Sequence, residues 1–158
     1  MERIQARLNF TLLPVLAVSV LLLLLPSLQA THVKYCDKDA DYAVKVKDVV
    51  ISPNPVVRGK PATFKILGST GESISGGKLL IDVKYFGVHI HQETHDFCEE
   101  TSCPVSGNFE LSHSQSLPAF TPPGSYTLTM IMSDKNGDEL TCISFDFKIR
   151  IGSSVSDS

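Results

Sequence analysis

Three of the chain's five histidines fall within eight residues, His89-Ile90-His91-Gln92-Glu93-Thr94-His95-Asp96. This is the one stretch whose side chains resemble an active site. On a β-strand, residues two apart point the same way. His89 and His91 could therefore share a metal ion, with His95 or Glu93 joining from a turn. The same pattern also describes the outward side of a strand whose inward side is Val88 and Ile90. The spacing misses that of established His-x-His metal families, and no metal ligand set or cofactor is assigned. No nucleophile elbow, Gly-rich phosphate loop or Ser-His-Asp order accompanies the cluster, so the chain reads as a non-enzyme.

The other reactive side chains are Cys36, Cys98, Cys103 and Cys142. Three pairings of four cysteines are possible. A Cys98–Cys103 bridge would pin the short loop CEETSC, and a Cys36–Cys142 bridge would tie an early strand to the last one. Paired C-x-x-C units, which a structural zinc site favours, are absent. An oxidising compartment is implied by what precedes the cysteines. Arg3 and Arg7 form a basic start, Leu12 to Leu25 is an apolar run broken only by Pro14 and Ser19, and Ser27-Leu28-Gln29-Ala30 is small or polar. Residues 1–30 thus read as a secretory signal peptide cut near Ala30, the run being short for a membrane span of ~20 residues. Residues 31–158 are then one domain in an extracellular or a vacuolar or endosomal lumenal setting.

The whole chain carries a formal charge of -3, and loss of Glu2, Arg3 and Arg7 with the leader brings it to about -4. A mildly acidic domain without a basic stripe is a poor partner for nucleic acid. It also lacks the polybasic cluster that would hold it tightly on anionic membranes.

The elements that must position these groups are strands. Ser125 to Ile151 reads as a hairpin turning at Asn136-Gly137, a dipeptide suited to a two-residue type I′ turn. That turn sets Met132 opposite Thr141, Met130 opposite Ile143, Leu128 opposite Phe145 and Tyr126 opposite Phe147. One face is then oily, and the other carries Thr127, Thr129, Ser144, Asp146, Lys148 and Arg150. Val44 and Val46 alternate with lysines before Val49 and Ile51 switch phase, which marks a bulge or a crossing between sheets. Ser52-Pro53-Asn54-Pro55 must leave any ladder. Ala62, Phe64 and Ile66 make a short strand, and 68–77 reads as a polar loop. Lys78 to Gln92 is the longest strand candidate, with Leu79, Ile81, Val83 and Tyr85 on one face and a bend at Gly87. Gly107 to Leu117 is a weaker strand. Short strands between Gly/Pro/Ser turns describe an all-β sandwich of two antiparallel sheets.

In order and spacing, these features resemble the ML domain (MD-2-related lipid recognition). That group includes the Niemann-Pick type C2 sterol carrier and the plant and fungal phosphatidylglycerol/phosphatidylinositol transfer proteins. The residues that carry the resemblance are the early Cys36, Ser52-Pro53-Asn54-Pro55 with Arg58-Gly59, and Cys98-x4-Cys103-Pro104. To these are added Leu117-Pro118, Pro123-Gly124-x-Tyr126, and Asp134-Lys135-Asn136 leading to Leu140-Thr141-Cys142. The resemblance implies an immunoglobulin-like sandwich splayed to hold lipid, with Cys36 bonded to Cys142 and Cys98 to Cys103. The implied cavity wall is Phe64, Ile66, Ile81, Val83, Tyr85, Tyr126, Leu128, Met130, Met132, Ile143, Phe145 and Phe147. Its mouth is implied near Val88, Ile90, Leu117 and Phe120, with His89 and His91 turned away from it. Burial is worth about 0.8 kcal/mol per methylene, so a dry slot alone can hold a lipid strongly. The expected function is a monomeric carrier of one phospholipid or sterol, in transient contact with membranes. The rival readings are an extracellular protein-interaction module with a filled core and a metal-dependent enzyme built on the histidines.

Overall fold

The computed structural model describes residues 31–152, so the leader read at 1–30 lies outside the described residues. Nine strands follow one another: β1 (Val33–Tyr35), β2 (Val44–Ser52), β3 (Val56–Val57), β4 (Pro61–Ile74), β5 (Gly77–Tyr85), β6 (Val88–Asp96), β7 (Val105–Ser116), β8 (Gly124–Asp134) and β9 (Glu139–Arg150). One helical turn, α1 (Phe97–Glu100), sits between β6 and β7. The larger sheet has the order β1-β9-β8-β5-β6, with β3 added in parallel alongside β9; the smaller is β2-β4-β7. Only β5–β6 and β8–β9 are hairpins within one sheet; every other connection crosses to the opposite layer. The result is a two-sheet, all-β sandwich.

The β8–β9 ladder has the register the side-chain pattern demands: Tyr126 faces Phe147, Leu128 Phe145, Met130 Ile143 and Met132 Thr141. Its tip differs from a two-residue turn. The Asp134 N–H donates to the Asp138 carbonyl at 2.9 Å across a three-residue loop, and Gly137 takes φ +91°. The Asp134 carboxylate accepts from the N–H groups of both Asn136 and Asp138. Such a loop alone would invert the pairing, but the register shifts by one at Leu140 and restores it. Both oily faces therefore stay on the inside.

Two expectations are corrected. The segment 68–74 is strand, not loop: Gly68 lies between Val46 and Phe109, and β4 pairs on through Thr70. A Cβ on Gly68 would come within 3.1 Å of the Phe109 ring, so glycine here marks a close approach and not a break. Lys78 to Gln92 is not one strand bending at Gly87 but the two arms of a hairpin. Phe86 and Gly87 take φ of 49° and 78°, and the two positive values turn the chain back on itself. The phase switch at Val46 is a bulge, seen as a register shift between Val46 and Asp48.

One half of the interior is closed. Val44, Leu79, Phe97, Leu111, Met130, Met132 and Ile143 are all within 1% of full burial. Beyond them the sheets separate.

Candidate functional site

Between the sheets, at the end carrying the β5–β6 turn and the β7–β8 loop, lies a cavity of about 330 Å³. Its walls are apolar side chains projecting at alternate positions: Phe64 from β4, Ile81 and Val83 from β5, Tyr126 and Leu128 from β8, Phe147 and Ile149 from β9. Leu117, Pro118, Phe120, Thr121 and Pro122 form one lip, and Ile90 the other. Aromatic contacts brace the wall, with Phe64 edge-on to Phe147 at 5.4 Å and Tyr126 stacked on Phe147 at 5.5 Å. A larger hollow of about 770 Å³ outside the Cys98–Cys103 loop is lined mainly by polar groups such as Glu99, Glu100, Asn108 and Glu110. Of these two hollows among the described residues, the slot between the sheets offers the dry surface.

The lip loop is pinned from below. The Tyr126 hydroxyl donates to the Pro122 carbonyl at 2.6 Å, and the Tyr85 hydroxyl to the Pro123 carbonyl at 3.2 Å. Burial, with Tyr85 adding to it, pushes the Tyr126 hydroxyl above its ordinary pKa. Gly124, at φ +146°, lets the chain pass the Tyr85 ring, which a Cβ would meet at 3.1 Å. Around the opening, Phe86 and Phe120 are each 84% exposed, and Val88 and Ile90 are at least half exposed. Phe86 holds a positive φ that a bulky side chain rarely adopts.

The flank of the slot is polar, and a bulge decides which groups face it. The β5–β6 register shifts between Val83, opposite His91, and Lys84, opposite His89. The extra residue is Ile90, so His89 and His91 end on opposite faces. His89 Nδ1 lies 2.8 Å from Asp82 Oδ1 on the outer side, while His91 lines the cavity. The expectation that both histidines turn away from the slot is therefore corrected for His91. Past the bulge the inward positions are His91, Glu93 and His95, opposite Val83, Ile81 and Leu79.

Across from them, on β7, His113 is buried on the side of Leu111. Glu93 Oε1 stands 3.1 Å from His113 Nε2 and 3.4 Å from His95 Nε2. Glu100 Oε1, on α1, stands 3.3 Å from His113 Nδ1 and 3.5 Å from His95 Nδ1. The helical turn that carries Glu100 is capped by the Asp96 carboxylate, which accepts from the Cys98 N–H at 2.8 Å. Burial pushes the Glu93 carboxyl up, but the His91, His95 and His113 rings beside it outweigh burial and hold it below the ordinary carboxylate value.

Of the expected cavity wall, Phe64, Ile81, Val83, Ile90, Leu117, Phe120, Tyr126, Leu128 and Phe147 line the slot. Ile66, Met130, Met132, Ile143 and Phe145 do not; they sit in the closed half, each at most 2% exposed. The oily stripe runs unbroken through both halves, and periodicity cannot tell a residue with a partner across the gap from one without. Tyr85 lies behind the wall, stacked on Tyr126 at 4.6 Å, and Val88 lies outside on the rim. Cys36 is bonded to Cys142, and Cys98 to Cys103.

The sequence matches the ML domain family over residues 30–149. The chain is a member of the ML domain family. A phosphatidylglycerol/phosphatidylinositol transfer protein of Aspergillus oryzae is 32% identical over 117 residues, 70% of this chain and 67% of that one. A Dictyostelium discoideum protein provisionally named for the same activity is 34% identical over 116 residues, 70% of this chain and 80% of its own. Among solved structures, a Niemann-Pick type C2 protein from Japanese carpenter ant superposes with TM-score 0.60 at 15% identity, over 75% of this chain and 99% of that one. Chicken MD-1, solved with lipid IVa, gives 0.50 at 17% identity, over 73% and 86%. These structures share the immunoglobulin-like sandwich of the ML domain.

In this ML domain the polar flank was only half legible. Sequence pattern does not single out His113 or Glu100. The usable signal for His113 was the alternation Phe109-x-Leu111-x-His113, which continues the inward face of β7. For Glu100 there was none, because the turn of α1 aims it.

Proposed function

We propose that this ML domain is a non-enzymatic carrier that takes one phospholipid into the slot between its sheets and delivers it to another membrane. The observation that carries this reading is the dry, one-ended cavity with an exposed apolar rim. The names of its relatives favour a glycerophospholipid over a sterol. The slot lies near the lower end of the ~300–1,000 Å³ range for small-molecule pockets. A diacyl lipid exceeds that volume, so loading requires the sheets to part at the open end. The two disulfides favour an extracellular or lumenal compartment. We extend this to secretion as a monomer after removal of residues 1–30. The deciding experiment is native mass spectrometry of protein from its own secretory pathway, with fluorescent phosphatidylglycerol and sterol titrations of delipidated protein. A co-purifying phospholipid and saturable phosphatidylglycerol binding support the carrier; preferential sterol binding reassigns the ligand. No lipid and no binding would leave a filled interaction module.

The rim supplies the membrane contact. Phe86 and Phe120 project from neighbouring loops, and burying one phenylalanine in lipid is worth about 1.5–3 kcal/mol. The variant Phe86→Ser, at a ring that is exposed on the rim and off the cavity wall, should slow vesicle-to-vesicle transfer by about tenfold, while binding of a soluble fluorescent lipid is unchanged; Phe120→Ser, whose ring also lines the slot, should lower both. Equal loss of transfer and binding in Phe86→Ser would mean that Phe86 too shapes the slot.

The bulge yields a second test. His89→Ala should leave lipid affinity at the wild-type value, because His89 faces Asp82 on the outside. His91→Ala should shift it, because that ring lines the cavity. The reverse pattern in a fluorescent-lipid titration would show that the β5–β6 register is different in solution.

A further inference from the structure

Glu93, His95 and His113 each present a ligand atom within 4.8 Å of the others, although β6 and β7 belong to different sheets. We infer that they form a binding site for a divalent transition-metal ion of the zinc class, held by His95 Nε2, His113 Nε2 and Glu93 Oε1. This inference stands apart from the lipid reading.

The two Nε2 atoms have no other employment. The His113 side chain is only 6% exposed, and neither its Nε2 nor that of His95 makes a hydrogen bond. Glu93 Oε1 is inside ion-pair distance of both, yet neither nitrogen is aligned to bond it. Two imidazolium rings clamped on a carboxylate would point their N–H groups at it. Buried polar atoms are ordinarily satisfied, and an orphan of this kind asks for a partner that the protein itself does not supply.

The spacing suits a metal. Zinc bonds to imidazole nitrogen and carboxylate oxygen are about 2.0–2.2 Å, so a tetrahedral site has ligand–ligand edges of ~3.3–3.5 Å. The two oxygen–nitrogen edges are 3.1 and 3.4 Å, and the nitrogen–nitrogen edge lies within 4.8 Å. Two imidazoles with one carboxylate suit zinc and its first-row neighbours, whereas calcium and magnesium prefer all-oxygen shells.

The opposite side of each ring is already held. The Nδ1 of His113 bonds Glu100 Oε1 at 3.3 Å, and that of His95 lies 3.5 Å from the same oxygen. A carboxylate accepting from Nδ1–H fixes the tautomer in which Nε2 keeps its lone pair for a metal. One glutamate is thus a ligand, and the other orients the His113 ring and lies beside that of His95. Glu93 and His113 also line the slot, so the site borders it. A bound ion would clip β6 to β7 along the flank of the cavity.

The test uses the untagged mature protein with its disulfides formed, stripped with a chelator and then titrated with zinc against a chromophoric competitor. One equivalent should bind, the unfolding temperature should rise with zinc, and cobalt(II) should give the visible absorption of a four-coordinate site. Glu93→Gln and His95→Gln, both partly exposed and expected to fold, should each weaken binding more than a hundredfold. Glu100→Gln should weaken it about 10–100-fold and keep the stoichiometry. His113→Gln serves as a third ligand variant if its far-UV spectrum is native. His89→Gln, on the outer face, should bind as the wild type does. Absence of saturable one-equivalent binding would overturn the assignment. So would wild-type affinity in Glu93→Gln and His95→Gln, or loss confined to His89→Gln.

Discussion

Replacing Cys36 and Cys142 together by serine should cost the domain about 4.7 kcal/mol. The bridge spans 106 positions of sequence, and closing so long a loop removes much of the unfolded chain's freedom. Its local role points the same way. β1 is three residues long and is held to β9 by the pairs Val33–Phe145, Lys34–Ser144 and Tyr35–Ile143. At its end Tyr35 reaches across to the other sheet, where its hydroxyl accepts from the Val46 N–H at 2.9 Å. Without the bridge, the strand that joins the two sheets on this flank is left with few anchors. A domain of this size is stable by about 5–15 kcal/mol, so the loss could take the variant to the edge of unfolding. The Cys98–Cys103 bridge closes only five positions, and on the same estimate its removal should cost about 2 kcal/mol. Urea denaturation of the two double-serine variants checks the order. A loss under about 1 kcal/mol for the Cys36–Cys142 pair would mean that the denatured state stays compact without it.

Leu128→Trp should abolish lipid binding and leave the empty protein as stable as before, while Phe145→Ala should do nearly the opposite. The two residues face each other across the β8–β9 ladder, which makes the contrast a sharp one. Leu128 lines the cavity, so a larger ring there enters space meant for ligand. Phe145 is 2% exposed in the closed half, and its removal leaves a void that costs roughly 3–5 kcal/mol. Met130→Trp belongs with Phe145: at 1% exposed and off the cavity, it overpacks a filled interior at a cost of ~1–3 kcal/mol. Denaturant unfolding of delipidated variants, run beside a fluorescent-lipid titration, reads both quantities. If Leu128→Trp destabilised the empty protein by as much as Met130→Trp while lipid still bound, the slot would be packed core in solution and the carrier reading would lose its site.

Local chemistry determined a good part of this protein by itself. The alternation from Tyr126 to Phe147 specified the central hairpin, because a one-residue slip would have turned every oily side chain to water. That parity holds even though the tip is a three-residue loop, since the Leu140 bulge compensates for the extra residue. Apolar residues at fixed spacing also placed Phe64, Ile81, Val83, Tyr126, Leu128 and Phe147 on inner faces, and the chain around them carried the family's pattern of cysteines and prolines. Tertiary structure decided the rest, and for one physical reason: what lies across a gap is a property of two segments, and sequence patterns describe one at a time. Met130 and Leu128 follow the same alternation, yet one meets a packed layer and the other an open slot. His89 and His91 look equivalent until the bulge at Ile90 turns them to opposite faces. Glu93, His95 and His113 become neighbours only because β6 and β7 edge the same flank of the sandwich, a proximity that no spacing along the chain encodes.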